Sequence, residues 1–203
     1  MAEVEGVRVP LIEESEATGR TAELYDQIRK ATNFPFVPDM FRLASTKPAL
    51  LETIIAGYSG TFLNESELPR DVKELIAAWT SRVNQCPYCV GTHNFFLQAF
   101  GGPVELADAI ASSNSPDDLP VDDRTKALVR LVTKVSTSAY RITDEDWDAA
   151  LAAGWTTGEV FEGVFTAALF NFICRLVDST GLGTSVSQSR ISQQPVTETD
   201  SAA

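Results

Sequence analysis

Five prolines, Pro38, Pro48, Pro69, Pro87 and Pro103, each stand directly before a stretch of helix-forming sequence. Proline lacks a backbone N–H and holds φ at about −65°, so it suits the first turn of a helix and breaks its interior. Placed this way, the prolines cut the first half of the chain into short helices. Pro38 opens one through Ala44, and Pro48 opens the next, with Leu51, Ile54, Ile55 and Tyr58 at helical spacing. Pro69 starts a stronger one, with Val72, Leu75, Ile76, Trp79 and Val83 facing inward, until Asn84-Gln85 breaks it. Pro87 opens a helix that stops at Gly101-Gly102, and Pro103 begins another short one.

The remaining segments follow the same period. Thr18 to Thr32 carries Leu24, Ile28 and Ala31 on one face, and Phe34 to Pro38 forms a rigid apolar linker. Asn114 to Pro120 is the clearest internal linker, and helices are expected near Asp122–Ser138, Asp144–Ala153 and Thr157–Asp178. The first dozen residues read as an extended arm. Period-2 alternation of any length is missing, so the expected fold class is all-α. A single domain over residues 1–183 is expected, with a disordered tail at 184–203, where Ser, Gln, Thr and Asp leave little to bury.

At 203 residues the chain can bury a substantial core without disulfides. Its net charge of −12 argues against nucleic acid and anionic membranes as partners. The N-terminus lacks the basic start and apolar core of a signal peptide. The longest apolar run, Val164 to Cys174, is too short to span a bilayer. Three cysteines do not make a secreted disulfide framework, so a cytoplasmic location is expected, and there a close Cys pair points to redox or metal chemistry.

That pair lies in Cys86-Pro87-Tyr88-Cys89, four residues before His93, the only histidine, and twelve residues after Glu74. With Pro87 as the first helical residue, Cys86 is the N-cap and Cys89 lies in the first turn. The helix dipole there favours thiolate over thiol. A spacing of three puts the two Cα atoms about 5 Å apart, within the range a disulfide needs. His93 follows one turn on along the same face and can carry a proton near neutral pH. In one continuous helix Glu74 would be about 18 Å from Cys86. A fold-back at residue 85 instead brings it within a turn of His93, and a Glu–His pair beside a dithiol suits proton relay.

Other readings of the same residues stay open. Cys86 and Cys89 form a zinc half-site that His93 and Glu74 could complete, or a structural pair without chemistry. Tyr88, Phe95 and Phe96 are core residues or the wall of an apolar pocket over the sulfurs. Cys174, among Phe170, Phe172, Ile173 and Leu176, reads as a small buried apolar residue. Glu162 precedes Cys174 by twelve residues, as Glu74 precedes Cys86, but Val177 and Gly181 stand where Cys89 and His93 would. This is a faint sign of an internal repeat.

Cys-Pro-Tyr-Cys also looks like a glutaredoxin active site, but a glutaredoxin places that motif after a strand, and here Asp71 to Val83 reads as helix. The helical setting, Glu74-x11-Cys86-x2-Cys89-x3-His93, resembles the alkylhydroperoxidase D-like branch of the carboxymuconolactone decarboxylase family, in particular its two-repeat "peroxidase-related" members. The resemblance extends from Phe36-Val37-Pro38-Asp39-Met40-Phe41-Arg42 to Ala168-Leu169-Phe170-Asn171-Phe172. It implies an AhpD-like helical bundle with repeats at about 17–113 and 121–182. It further implies a peroxidase without cofactor or metal, in which Cys89 attacks the hydroperoxide, Cys86 resolves the sulfenic acid, and His93 and Glu74 relay the proton. An external thiol reductant and a homo-oligomer, trimer or hexamer, complete the implied picture. Exposure at the N-cap would instead make Cys86 the attacking thiol. Tyr88 stands where the best-studied members carry a second histidine, which leaves a shorter relay or a role for its hydroxyl. The family's decarboxylases generally lack the Cys pair, so lactone decarboxylation is not expected.

Overall fold

The computed structural model describes residues 6–182. The tail expected to be disordered lies outside them. Among the described residues there are nine α-helices: α1 (Gly19–Thr32), α2 (Asp39–Arg42), α3 (Pro48–Phe62), α4 (Arg70–Val83), α5 (Pro87–Ala99), α6 (Val104–Ser112), α7 (Asp123–Ser138), α8 (Asp144–Ala152) and α9 (Thr157–Thr180). The all-α class holds, and the prolines sit where expected, as N-caps of α2, α4 and α6 and as first residues of α3 and α5.

Two helices carry the architecture. The middle of α4, from Lys73 to Ser81, is buried on every side. It packs against α5, α7 and α9. The sequence pattern marked Val72 and Val83 as inward; both are only partly buried, while Lys73, Glu74, Thr80 and Ser81 are buried. A helix enclosed on all faces hides its polar side as well, and period-3.6 reasoning assigns that side to solvent. Lys73 meets this by donating to the Thr61 carbonyl at 2.7 Å and pairing with Glu162 at 3.4 Å.

The other central helix, α9, spans 24 residues and has a mean hydropathy of 1.6 over its most apolar window, enough by length and composition to cross a bilayer. The apolar run from Val164 to Cys174, interrupted by Thr166 and Asn171, is only part of this helix. Asn171 and Arg175 tie the helix by hydrogen bonds to Asn84 and Ser136, and its buried face packs on α4 and α7, as a core helix does. Gly163 allows the close approach: a Cβ there would lie 3.1 Å from Leu128 Cδ1 and 3.3 Å from Ile76 Cδ1.

The core falls into two main parts. One gathers Leu75, Ile76, Trp79, Leu128, Leu131, Val132 and Val160, with Trp79 Nε1 donating to Thr133 Oγ1 at 2.7 Å. The other gathers α1, α3, the start of α5 and the end of α9, and contains all three cysteines. The N-terminal arm lies across this second part: Arg8 N–H donates to the Thr180 carbonyl and Tyr25 Oη to that of Ile12.

Candidate functional site

The site begins at the turn between α4 and α5. Gln85 adopts φ 59°, the left-handed conformation that closes many helices. Gln85 N–H donates to the Arg82 carbonyl and Cys86 N–H to that of Ser81, both at 3.0 Å. This pair of bonds is a Schellman motif, here with glutamine where glycine is usual. Cys86 therefore finishes one helix and caps the next, and its own carbonyl accepts the first bond of α5, from Val90. The reversal folds α5 back along α4.

Antiparallel packing then sets Glu74 against His93, with Nδ1 2.6 Å from Oε2. Glu74 is fully buried, and its other oxygen accepts from Arg70 Nε at 2.8 Å. Arg70 also donates to the Phe62 carbonyl at 2.7 Å and lies over the rings of Phe62 and Phe100. Its spacing of four before Glu74 was a readable signal of this pair. With Nδ1 engaged, Nε2 is the remaining proton site of the ring. The ring packs edge-on to Phe170 at 4.4 Å and stacks on Phe62 at 5.9 Å. Burial pushes the Tyr58 hydroxyl beside Arg70 up to about 12, so it stays a neutral donor at working pH.

Cys89 and His93 line one cavity of about 40 Å³, room for a few waters or one small functional group. Its walls include Phe34, Tyr58, Tyr88, Phe96 and Phe170. Phe95 is not among the lining residues and packs edge-on against Phe96.

The sulfurs bring an arrangement the sequence did not disclose. Cys174 is buried, as its surroundings suggested, but its Sγ lies with those of Cys86 and Cys89 in one group, all within 4.8 Å of one another. All three are free thiols. His93 and Glu74 do not belong to this group, so the four-ligand zinc set of Cys86, Cys89, His93 and Glu74 is not assembled; the sulfurs' third neighbour is Cys174. The Glu-x11-Cys echo at Glu162 and Cys174 was the one hint. There the likeness stops, for both lie on the single helix α9, and Glu162 binds Ser66 and the backbone N–H groups of Glu67 and Leu68.

Thiol acidity also departs from the helix-dipole expectation. Contact with Cys174 pushes the Cys86 thiol up, and contact with Cys174 and Cys86, together with burial, pushes Cys89 well up. Hydrogen bonds from those two draw the Cys174 thiol down to about 4. The proton balance belongs to the three sulfurs together. Asp178, one turn beyond Cys174 and largely exposed, is pushed up to about 7 by desolvation and a hydrogen bond with Cys86.

Residues 48–121 match the Carboxymuconolactone decarboxylase family model. An alkyl hydroperoxide reductase of Mycobacterium tuberculosis is 32% identical over 100 residues, 49% of this chain and 28% of that protein's length. The fold is similar to the alkylhydroperoxidase AhpD core of a peroxidase-related protein from Ralstonia eutropha, with a TM-score of 0.78 at 22% identity over 87% of this chain and 90% of that one. It is also similar to a debrominase crystallised with 2,3,4-tribromopyrrole, with a TM-score of 0.72 at 14% identity over 93% of this chain and 97% of that one.

Proposed function

For a chain that is a relative of the carboxymuconolactone decarboxylase family across residues 48–121 and AhpD-like in fold, we propose a cysteine peroxidase that reduces organic hydroperoxides. One observation carries the reading: Cys89 and the Glu74-paired His93 face the same small aromatic cavity, with Cys86 beside Cys89.

The chemistry needs no cofactor. His93 takes the proton of the Cys89 thiol, the thiolate attacks the terminal oxygen of the hydroperoxide, the O–O bond breaks, and His93 returns that proton to the departing alkoxide, which leaves as alcohol. Cys89 is then a sulfenic acid. Cys86 attacks its sulfur, forms the disulfide and releases water. An external dithiol returns both to thiols by exchange. Glu74 holds the imidazole in place and balances its charge, and Arg70 holds Glu74. Burial of the sulfurs and the narrow cavity favour a slim peroxide group over a protein disulfide, so peroxidase is preferred to general thiol–disulfide exchange. The location in this proposal is the cytoplasm, where thiols stay reduced. Residues 17–113 and 121–182 are read as two related helical repeats, the second carrying no Cys-x2-Cys pair.

The test is consumption of cumene hydroperoxide with dihydrolipoamide as donor. Cys89→Ser is expected to lose about a hundredfold or more of kcat/KM. Cys86→Ser is expected to stall after one turnover. A Cys89→Ser variant as fast as the parent would sink the proposal.

A further inference from the structure

The scheme above uses two sulfurs of a group of three. Cys174 comes from α9, a different helix from the pair, and its Sγ lies within 4.8 Å of both partners. Of the three, only Cys89 lines the cavity. Cys86 and Cys174 are both fully buried behind it. Thiol–disulfide exchange requires a thiolate near a disulfide sulfur, and side-chain rotation can close a gap of this size to the bond length of about 2 Å.

We propose that Cys174 is a third redox cysteine that takes over the disulfide and clears the cavity. This rests on the dithiol reading above and extends it. Once Cys86–Cys89 has formed, the Cys174 thiolate attacks Cys86 Sγ. The Cys174–Cys86 bond forms, the Cys86–Cys89 bond breaks, and its electron pair leaves on Cys89 as thiolate. There is no net oxidation, since one disulfide and one thiolate enter and leave the step. The oxidising equivalents then rest on an inter-helix bond between the α5 N-terminus and α9, beside Asp178. Cys89 faces the cavity again, ready for a second hydroperoxide before any reductant arrives. The geometry supports this assignment: the substrate-facing thiol is separate from two thiols that can hold the disulfide behind it, and all three sulfurs lie within 4.8 Å of one another.

The experiment maps the disulfide. The parent protein is treated with one equivalent of cumene hydroperoxide, quenched in acid, alkylated and digested. A Cys86–Cys174 linked peptide in more than about a tenth of chains, with Cys89 alkylated in those chains, is the expected result. A linkage at or below that level, with Cys174 alkylated nearly throughout, overturns the proposal. So does a Cys89–Cys174 link as the main product, since it leaves the cavity blocked. A parallel treatment with diamide separates this idea from the peroxidase reading. If peroxide leaves all three thiols free while diamide yields Cys86–Cys174, the peroxidase fails and the third redox cysteine stands. Without reductant, the parent is expected to consume about two equivalents of peroxide per chain, one ending as disulfide and one as Cys89 sulfenic acid, against about one for Cys174→Ala. Equal stoichiometry would count against it.

Discussion

Glu74 serves two partners at once, an imidazole on α5 and a guanidinium one turn back on α4, from a position closed to water. Removing its charge leaves Arg70 unbalanced and frees the His93 ring to turn. Glu74→Gln is expected to lose about 2–4 kcal/mol of stability, measured by urea unfolding. Its kcat/KM should fall about a hundredfold, with part restored in Glu74→Asp. Asp178 gives a pH signature. Its carboxyl is held at about 7 in the folded chain against an ordinary 3.8, so the folded state binds its proton more tightly. That contribution is fully present below an ordinary carboxylate pKa and is lost as pH rises through about 7. Asp178→Asn should flatten this part of the stability–pH curve between pH 4 and 7, readable in thermal melts. An unchanged slope would remove Asp178 from the sulfur group's surroundings.

At the scale of elements, the α4–α5 reversal decides whether a site exists. Gln85 holds a backbone conformation that glycine adopts without strain. Gln85→Gly is therefore expected to stabilise the protein by about 1 kcal/mol without changing thiol reactivity, checked by melting and by alkylation rate. The crossing of α9 over α4 and α7 is equally specific. Gly163→Leu would push a side chain into Leu128 and Ile76 and should cost about 1–3 kcal/mol or more. Because α9 carries Cys174, any displacement it causes should also appear as altered Cys174 alkylation.

For the whole molecule, the exposed face of α9 stands out. Phe161, Phe165 and Phe172 lie along it, 59%, 46% and 43% exposed. An apolar row of this kind on a helix otherwise in the core fits burial against a second copy of the chain. We propose a homo-oligomer that buries this row, with Phe161→Glu plus Phe165→Glu expected to shift it toward monomer in light scattering. A parent already monomeric at micromolar concentration would exclude this role for the row.

Much of this protein was legible in its sequence because the determinants are local. The prolines mark helix starts wherever they occur, since a missing N–H and a fixed φ act within one turn. The spacing of Cys86, Cys89 and His93 places them along one helix face for the same reason, and the break at Asn84-Gln85 announced the fold-back that brings Glu74 to His93. Contacts between distant helices were decided only by the tertiary structure. Nothing near Cys174 says which sulfur it will meet, because that depends on how α9 crosses α4 at Gly163. The buried polar side of α4 was hidden likewise, since amphipathic patterning assumes one face in water and a helix enclosed on all sides has none. Thiol acidity followed: the helix dipole could be inferred from position, but the contacts with Cys174 that push the Cys86 and Cys89 thiols up required the fold.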